Sequence, residues 1–65
     1  MKITYQGQET ETEPTTLAAF LTARGVNIPE SVVECDGEIR IGAQALAAPL
    51  AANAVINVFR IVAGG

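Results

Sequence analysis

A run of strand-forming residues near the carboxyl end, 54–63, limits the possible folds more than any other feature of the sequence. β-Branched residues and Phe59 dominate this run, and such residues favour a β-strand. It is the longest strand-like run in a chain of only 65 residues, which has room for one small domain. We therefore predict a single domain, 1–65, built around this last strand.

Four shorter strand-like segments precede the last strand and form two predicted hairpins. Gly7 marks the turn of the first hairpin. Asp36-Gly37 supplies the positive φ angles that the tight turn of the second hairpin needs. The segments are 2–5, 9–12, 31–35 and 38–41. Ile3 and Tyr5 are predicted to point inward from the first strand.

One helix is predicted between the two hairpins. Thr15 or Thr16 can cap its first turn by accepting a hydrogen bond from a free backbone N–H, and Gly25 can close it in a left-handed conformation. The helical spacing of the apolar residues predicts a buried face. That face holds Leu17, Phe20 and Leu21, and the residues expected nearer water are Ala18, Thr22 and Arg24.

The resulting element order is β-β-α-β-β, then a short helical turn or packed loop over 42–50, then β. Because the first and last strands are the most apolar, we expect them to be neighbours at the centre of one mixed sheet. The predicted fold class is α+β. It is the β-grasp, or ubiquitin-like, fold: a mixed β-sheet of four to five strands with one main α-helix packed on one face.

The last strand has two faces, and each contains one polar residue, so alternation alone does not say which face is buried. We predict that Ile56 and Val58 lie in the core. Phe59 and Ile61 then point outward with Asn57, on a sheet face that the helix does not cover. An exposed apolar patch on a small protein usually marks a surface for a partner, so these three residues are the candidate docking residues. The alternative is that Phe59 belongs to the core.

The last three residues, Ala63, Gly64 and Gly65, are predicted to be a flexible tail. Two glycines without Cβ atoms form a narrow thread that a partner enzyme can draw into a tight channel. The Gly65 carboxylate is a poor electrophile, but its conversion to an acyl-adenylate supplies a leaving group that a sulfur nucleophile can displace. The alternative is that Gly64 and Gly65 are only a frayed end.

Composition argues against several function classes. The net charge is −3 with only four Lys and Arg, so there is no basic patch for nucleic acid or for a membrane surface. The sequence has no His, no phosphate-binding loop and no cluster of metal ligands. We therefore expect a protein that is not itself an enzyme and binds no metal and no cofactor.

Two further features of the sequence have alternative interpretations. Cys35 could relay sulfur, but its position in the strand predicts a small core residue. Glu9, Glu11 and Glu13 could hold a cation, but alternating acidic residues on a strand more often form a solvated face that discourages edge pairing. The single cysteine and the lack of a signal peptide predict a cytoplasmic protein.

Five segments of the sequence follow the pattern of one known family: MKITY, TTLAAFL, ECDGEI, Pro49-Leu50 and the ending VFRIVAGG. Over essentially its whole length the sequence thus resembles the ThiS family, the sulfur carriers of thiamine biosynthesis. The resemblance implies that an E1-like (ThiF-type) adenylyltransferase uses ATP to activate Gly65. Sulfur that originates from a cysteine desulfurase then forms a thiocarboxylate, which a thiazole synthase (ThiG-type) consumes. By this resemblance Gly65 carries the sulfur and Gly64 lets the tail thread. Because the tail must visit more than one active site, we expect the carrier to be a monomer that docks transiently.

Two segments depart from the pattern of the family. Family members commonly have a Val-Pro-Arg-like segment where this chain has Arg40-Ile41-Gly42, and an Asp-Gly-Asp turn where it has Ala52-Asn53-Ala54. Both departures bear on the identity of the partner. The alternatives that stay open are the molybdopterin synthase small subunit or another sulfur-relay or ubiquitin-like modifier, and a non-reactive β-grasp interaction domain.

Overall fold

The structure, a computed structural model, describes residues 1–61. Its strands are β1 (Lys2–Tyr5), β2 (Gln8–Glu11), β3 (Ser31–Cys35), β4 (Glu38–Arg40) and β5 (Val55–Arg60). Its helices are α1 (Leu17–Ala23), α2 (Ala43–Leu46) and a short 3₁₀ helix (Ile28–Glu30). None of the helices in this range is long and apolar enough to cross a membrane.

The five strands form one mixed sheet in the order β2-β1-β5-β3-β4. β5 lies in the middle, parallel to β1 and antiparallel to β3. The outer pairs, β1 with β2 and β3 with β4, are antiparallel hairpins. This arrangement confirms the predicted fold class and the predicted central position of the first and last strands.

Both hairpins turn through two residues that have positive φ. Gln6 and Gly7 have φ of 51° and 80°, and Asp36 and Gly37 have φ of 54° and 83°. Positive φ at both central residues is the geometry that matches the twist of the flanking strands, and Asp-Gly adopts it readily. The turns fix the register of each hairpin, and with it the face on which every side chain of these strands lies.

The core lies between α1 and one face of the sheet. Its most completely buried side chains are Ile3, Leu21, Val33 and Ile56. Thr16 is the residue that caps α1: its hydroxyl oxygen accepts a hydrogen bond from the backbone N–H of Ala19 at 3.1 Å. Ala18 was expected near water, but it is half-buried against the core. A methyl side chain beside Leu17 is small enough to fit at this edge of the helix.

The last strand is shorter than the sequence predicts. β5 ends at Arg60, because β3, its antiparallel partner, begins at Ser31 and Ser31 lies opposite Arg60. One further backbone bond continues the ladder, from Ile61 N–H to the Glu30 carbonyl at 2.9 Å. The predicted tail residues, Ala63, Gly64 and Gly65, lie outside the described residues.

Candidate functional site

The outward face of β5 carries the candidate docking residues. Phe59 and Ile61 are each 53% exposed, whereas Ile56 on the opposite face is completely buried. Val58 packs against the core beside it. The predicted orientation of the strand is therefore confirmed, and the alternative that places Phe59 in the core is wrong.

Phe59 belongs to an apolar surface that we call the outer patch: Val32, Ile41, Phe59 and Ile61. Val32 lies directly opposite Phe59 in the antiparallel pair β3–β5. Ile41, just beyond β4, is 82% exposed. Val32, Ile41 and Ile61 all line one groove of about 480 Å³. The groove lies between the 3₁₀ helix and the segment that joins β4 to α2, with Pro29 and Leu46 in its walls. The outer patch thus meets a groove beside the end of β5.

Asn57, the third candidate docking residue, differs from the other two. Its side-chain amide donates a hydrogen bond to the Glu34 carboxylate at 3.1 Å, directly across the β3–β5 pair. Asn57 is half-buried, and this polar pair lies beside the row formed by Val32 and Phe59. The pair therefore forms a polar border of the outer patch on β5.

Sequence reasoning did not identify Val32 and Ile41 as part of this surface. The signal was available in the register of the second hairpin. A turn at Asp36-Gly37 places residue 39 opposite residue 34, and the same alternation places Ile41 on the side of Val32. Extending the register past the end of β4 would have assigned both residues to the outer face.

The side chain of Gln6 holds β5 where its neighbour β1 ends. The Gln6 amide nitrogen donates to the Val58 carbonyl at 3.0 Å, and the Val58 N–H donates to the Gln6 amide oxygen at 2.9 Å. β1 stops at Tyr5, so backbone pairing on that side of β5 ends at the Gln6 N–H, which bonds to the Ile56 carbonyl. The Gln6 side chain therefore makes the hydrogen bonds that a further residue of β1 would make, and it stabilises the part of β5 that precedes Phe59.

We expect Gln6→Ala to lower the free energy of unfolding by about 1 kcal/mol, because two hydrogen bonds to the Val58 backbone are lost to water. Hydrogen exchange of the Val58 amide is expected to accelerate more than exchange of the Ile56 amide. Gln8→Ala is the control, since Gln8 is also an exposed glutamine and lies on the other side of the same turn. Equal protection of Val58 in the two variants would show that Gln6 does not support β5.

The acidic residues near the amino end only partly follow the sequence prediction. Glu9 and Glu11 are in β2, at one edge of the sheet, but Glu13 lies beyond the end of the strand. Lys2 Nζ is 3.9 Å from Glu9, and the amino terminus is 3.8 Å from Glu11. These cations partly balance the two strand glutamates, and all of these groups are exposed except the amino terminus.

Cys35 is buried at the end of β3, on the core face, as the sequence predicts. Burial raises the pKa of the Cys35 thiol above its ordinary value, and the neighbouring Asp36 carboxylate raises the pKa further. A nucleophilic thiol needs the opposite environment, with exposure and a nearby positive charge that favours the thiolate. The environment of Cys35 is that of a core residue.

The raised pKa of Cys35 predicts how stability depends on pH. The unfolded thiol ionises near its ordinary pKa of 9.0, while the folded thiol stays protonated to higher pH. The contribution of the buried Cys35 thiol to the free energy of unfolding is therefore complete below pH 9. It is lost as the pH rises through the pKa of the thiol in the folded protein. Cys35→Ala should destabilise the protein more at neutral pH than at about pH 10. Urea unfolding of both proteins at the two pH values measures this difference, and an unchanged difference would contradict the prediction.

Comparison with known proteins finds a similarity in fold. No protein-family model matches the chain, and no curated protein matches it. Among solved structures, the chain is similar to the crystal structure of the thiamine biosynthesis protein ThiS from Geobacter metallireducens. The two share 20% sequence identity over 100% of both chains, with a TM-score of 0.80. Full coverage at this score means that the two chains share one overall fold. The chain therefore has the ThiS-like β-grasp fold.

Proposed function

We propose that this protein is a sulfur carrier for the thiazole ring of thiamine, with Gly65 as the residue that carries the sulfur. The observation behind this proposal is the match in fold, over the full length, to a protein described as a thiamine biosynthesis protein. In this fold the central strand is also the last one, and the sequence that follows it ends in Gly64-Gly65.

The proposed chemistry takes place at the Gly65 carboxylate in the active site of a partner. An E1-like (ThiF-type) adenylyltransferase binds ATP, and a carboxylate oxygen attacks the α-phosphorus and displaces pyrophosphate. Sulfide (HS⁻) from the sulfur donor then attacks the carbonyl carbon, and AMP leaves with that oxygen. The product is a thiocarboxylate, which a ThiG-type thiazole synthase uses as its sulfur source. The carrier contributes the acyl group and a surface that the partner recognises.

Three features of the described residues support a role as a docking module. β5 is bonded on one side to β3 along five residue pairs and on the other to β1 and Gln6. The Ile61 N–H makes a further bond to the Glu30 carbonyl. The outer patch includes Phe59 on β5 and Ile61 just beyond it, so a partner that covers these two residues also contacts the chain shortly before the proposed thread.

The experiment combines the protein with ATP, a ThiF-type enzyme and a sulfur donor. Isotope exchange between pyrophosphate and ATP reports adenylation, and intact mass spectrometry reports sulfur transfer as a gain of about 16 Da, oxygen replaced by sulfur. We expect exchange that depends on this protein, followed by the gain in mass. Absence of both with a ThiF-type enzyme that activates its own carrier would contradict the proposal.

The same assay separates the alternative roles. Activation by the adenylyltransferase of a molybdopterin pathway, with none by a ThiF-type enzyme, would assign the protein to another sulfur-relay pathway. Appearance of the protein in a covalent product with lysine residues would identify a protein modifier. If no activating enzyme acts on Gly65, while the outer patch still binds a partner, the protein is a non-reactive interaction domain.

A further inference from the structure

β4 leaves one edge of the sheet open. β3 bonds to β5 through its even-numbered residues, as the bond from Asp36 N–H to the Val55 carbonyl shows. Successive residues of a strand direct their backbone groups to opposite sides. Cys35 and Val33 therefore bond to Glu38 and Arg40, which are their register partners in β4. The N–H and C=O of Ile39, between these two, point away from the sheet, and no strand of residues 1–61 lies beyond β4.

The charges of β4 are complementary to a second β4. The strand contains Glu38, Ile39 and Arg40 in that order. In an antiparallel pair with a two-fold axis at Ile39, each Glu38 lies opposite the Arg40 of the other copy. The two Ile39 residues exchange their outward N–H and C=O groups, and the charged residues are at the non-hydrogen-bonded positions, where side chains are closest.

Arg40 can receive a carboxylate from outside the domain. Its Nε is buried within the domain and out of reach of a second copy, but the side chain as a whole is 33% exposed. Its guanidinium approaches Glu38 of the same strand at 3.8 Å, through a terminal nitrogen. A charge-assisted hydrogen bond is shorter, at about 2.7–2.9 Å. The Glu38 carboxylate of a second copy, directly opposite Arg40, would bring a further acceptor to the exposed part of this side chain.

The other open edge of the sheet is β2, and its charges oppose pairing with a second copy. β2 contains Gln8, Glu9, Thr10 and Glu11. Antiparallel two-fold pairing centred on Glu9, Thr10 or Glu11 places a glutamate opposite a glutamate, and like charges directly opposite each other are destabilising. Natural sheets protect free edges in this way. β2 has this protection and β4 lacks it.

We propose that β4 pairs with the β4 of a second copy of this chain, antiparallel and centred on Ile39, to form a weak two-fold dimer with one continuous sheet. The contact is short, well below the roughly 1,200 Å² of a standard stable interface, so monomers predominate at low concentration. The two-fold axis is perpendicular to the sheet and keeps both outer patches on the same face. β5 is two strands away from the contact, so its pairing is unchanged.

Sedimentation equilibrium up to roughly 1 mM tests the association. We expect a reversible monomer–dimer equilibrium, and NMR amide shifts of Ile39 that change with concentration more than those of Glu9 or Glu11. Glu38→Arg places arginine opposite arginine and should raise the dissociation constant at least about tenfold. Glu38 is 79% exposed at its side chain, so this change is expected to leave the fold intact.

The double variant Glu38→Arg with Arg40→Glu restores opposite charges across the axis. We expect its dissociation constant to return to within about threefold of the original value. Glu13→Arg changes the net charge by the same amount as Glu38→Arg and should leave the dimer unchanged. The proposal is overturned by a monomer at every concentration, by a dimer that persists in folded Glu38→Arg protein, or by a folded double variant that does not regain association.

Discussion

Replacing Gly64 with phenylalanine is expected to abolish adenylation of Gly65 while the domain remains folded. The proposed reaction requires the Gly65 carboxylate to reach the α-phosphorus of ATP inside a narrow channel of the partner. A glycine adds nothing to the width of the backbone, whereas a phenyl ring adds a bulky group at the residue next to the reacting carboxylate. The fold should be unaffected because the buried core is formed by residues between Ile3 and Ile56.

The measurement is pyrophosphate–ATP exchange with a ThiF-type enzyme, for which we expect loss of at least about a hundredfold, comparable to loss of a correctly positioned reacting group. Deletion of Gly65 should have the same effect. Ala52→Phe adds the same ring at an exposed position before β5 and serves as the control for a general effect of the aromatic group. Exchange at the original rate in folded Gly64→Phe protein would show that the tail does not thread.

Substitutions on the two faces of β5 are expected to have different effects, one on partner binding and the other on stability. Phe59→Ala is expected to weaken binding to the activating enzyme at least about tenfold, because exposed aromatic residues often dominate an interface. It should change the free energy of unfolding by only about 1 kcal/mol, since about half of the ring is already exposed. Ile56→Ala removes a completely buried side chain and should lower the free energy of unfolding by about 2–5 kcal/mol.

Titration calorimetry against the activating enzyme and urea unfolding measure the two effects. Val55→Ala is the matched control for Phe59→Ala: Val55 is also exposed on the outward face of β5, but at the other end of the strand. We expect Val55→Ala to leave the affinity within about threefold of the original value, as is usual for contacts outside an interface hot spot. Equal losses for Val55→Ala and Phe59→Ala would contradict the assignment of the outer patch.

The features that could be predicted from the sequence are those fixed by local chemistry. Asp36-Gly37 determines its hairpin turn because of its preference for positive φ, and the register of β3 and β4 follows. Thr16 and the spacing of the apolar residues determine the start and the buried face of α1. The orientation of β5 was also predicted correctly, and it placed Phe59 on the exposed face.

The features that could not be predicted depend on contacts between residues far apart in the sequence. Gln6 and Val58 are 52 residues apart, and nothing near Gln6 indicates that its side chain bonds to β5. The end of β5 at Arg60 is set by the first residue of β3, not by residues near Arg60. The groove beside Ile61 requires the 3₁₀ helix, and the spacing of the apolar residues in 26–30 does not predict that helix.

The fold can match that of a ThiS protein at only 20% sequence identity because few positions determine it. These positions are the turns, the helix cap and the alternating residues of the central strands. Asn53 illustrates the tolerance of these positions. It has φ of 67° in the turn before β5, a left-handed conformation that asparagine accepts more readily than most residues. The turn before β5 therefore forms without a glycine.

The most direct test of the proposed function locates the sulfur after the reaction with ATP, a ThiF-type enzyme and a sulfur donor. Trypsin cleaves after Arg60 and releases residues 61–65, which contain the proposed site and no cysteine. We predict a gain of about 16 Da on this peptide and none on the peptide that contains Cys35. A gain of about 32 Da on the Cys35 peptide, with an unchanged carboxyl-terminal peptide, would indicate a persulfide on Cys35 and contradict Gly65 as the carrier residue.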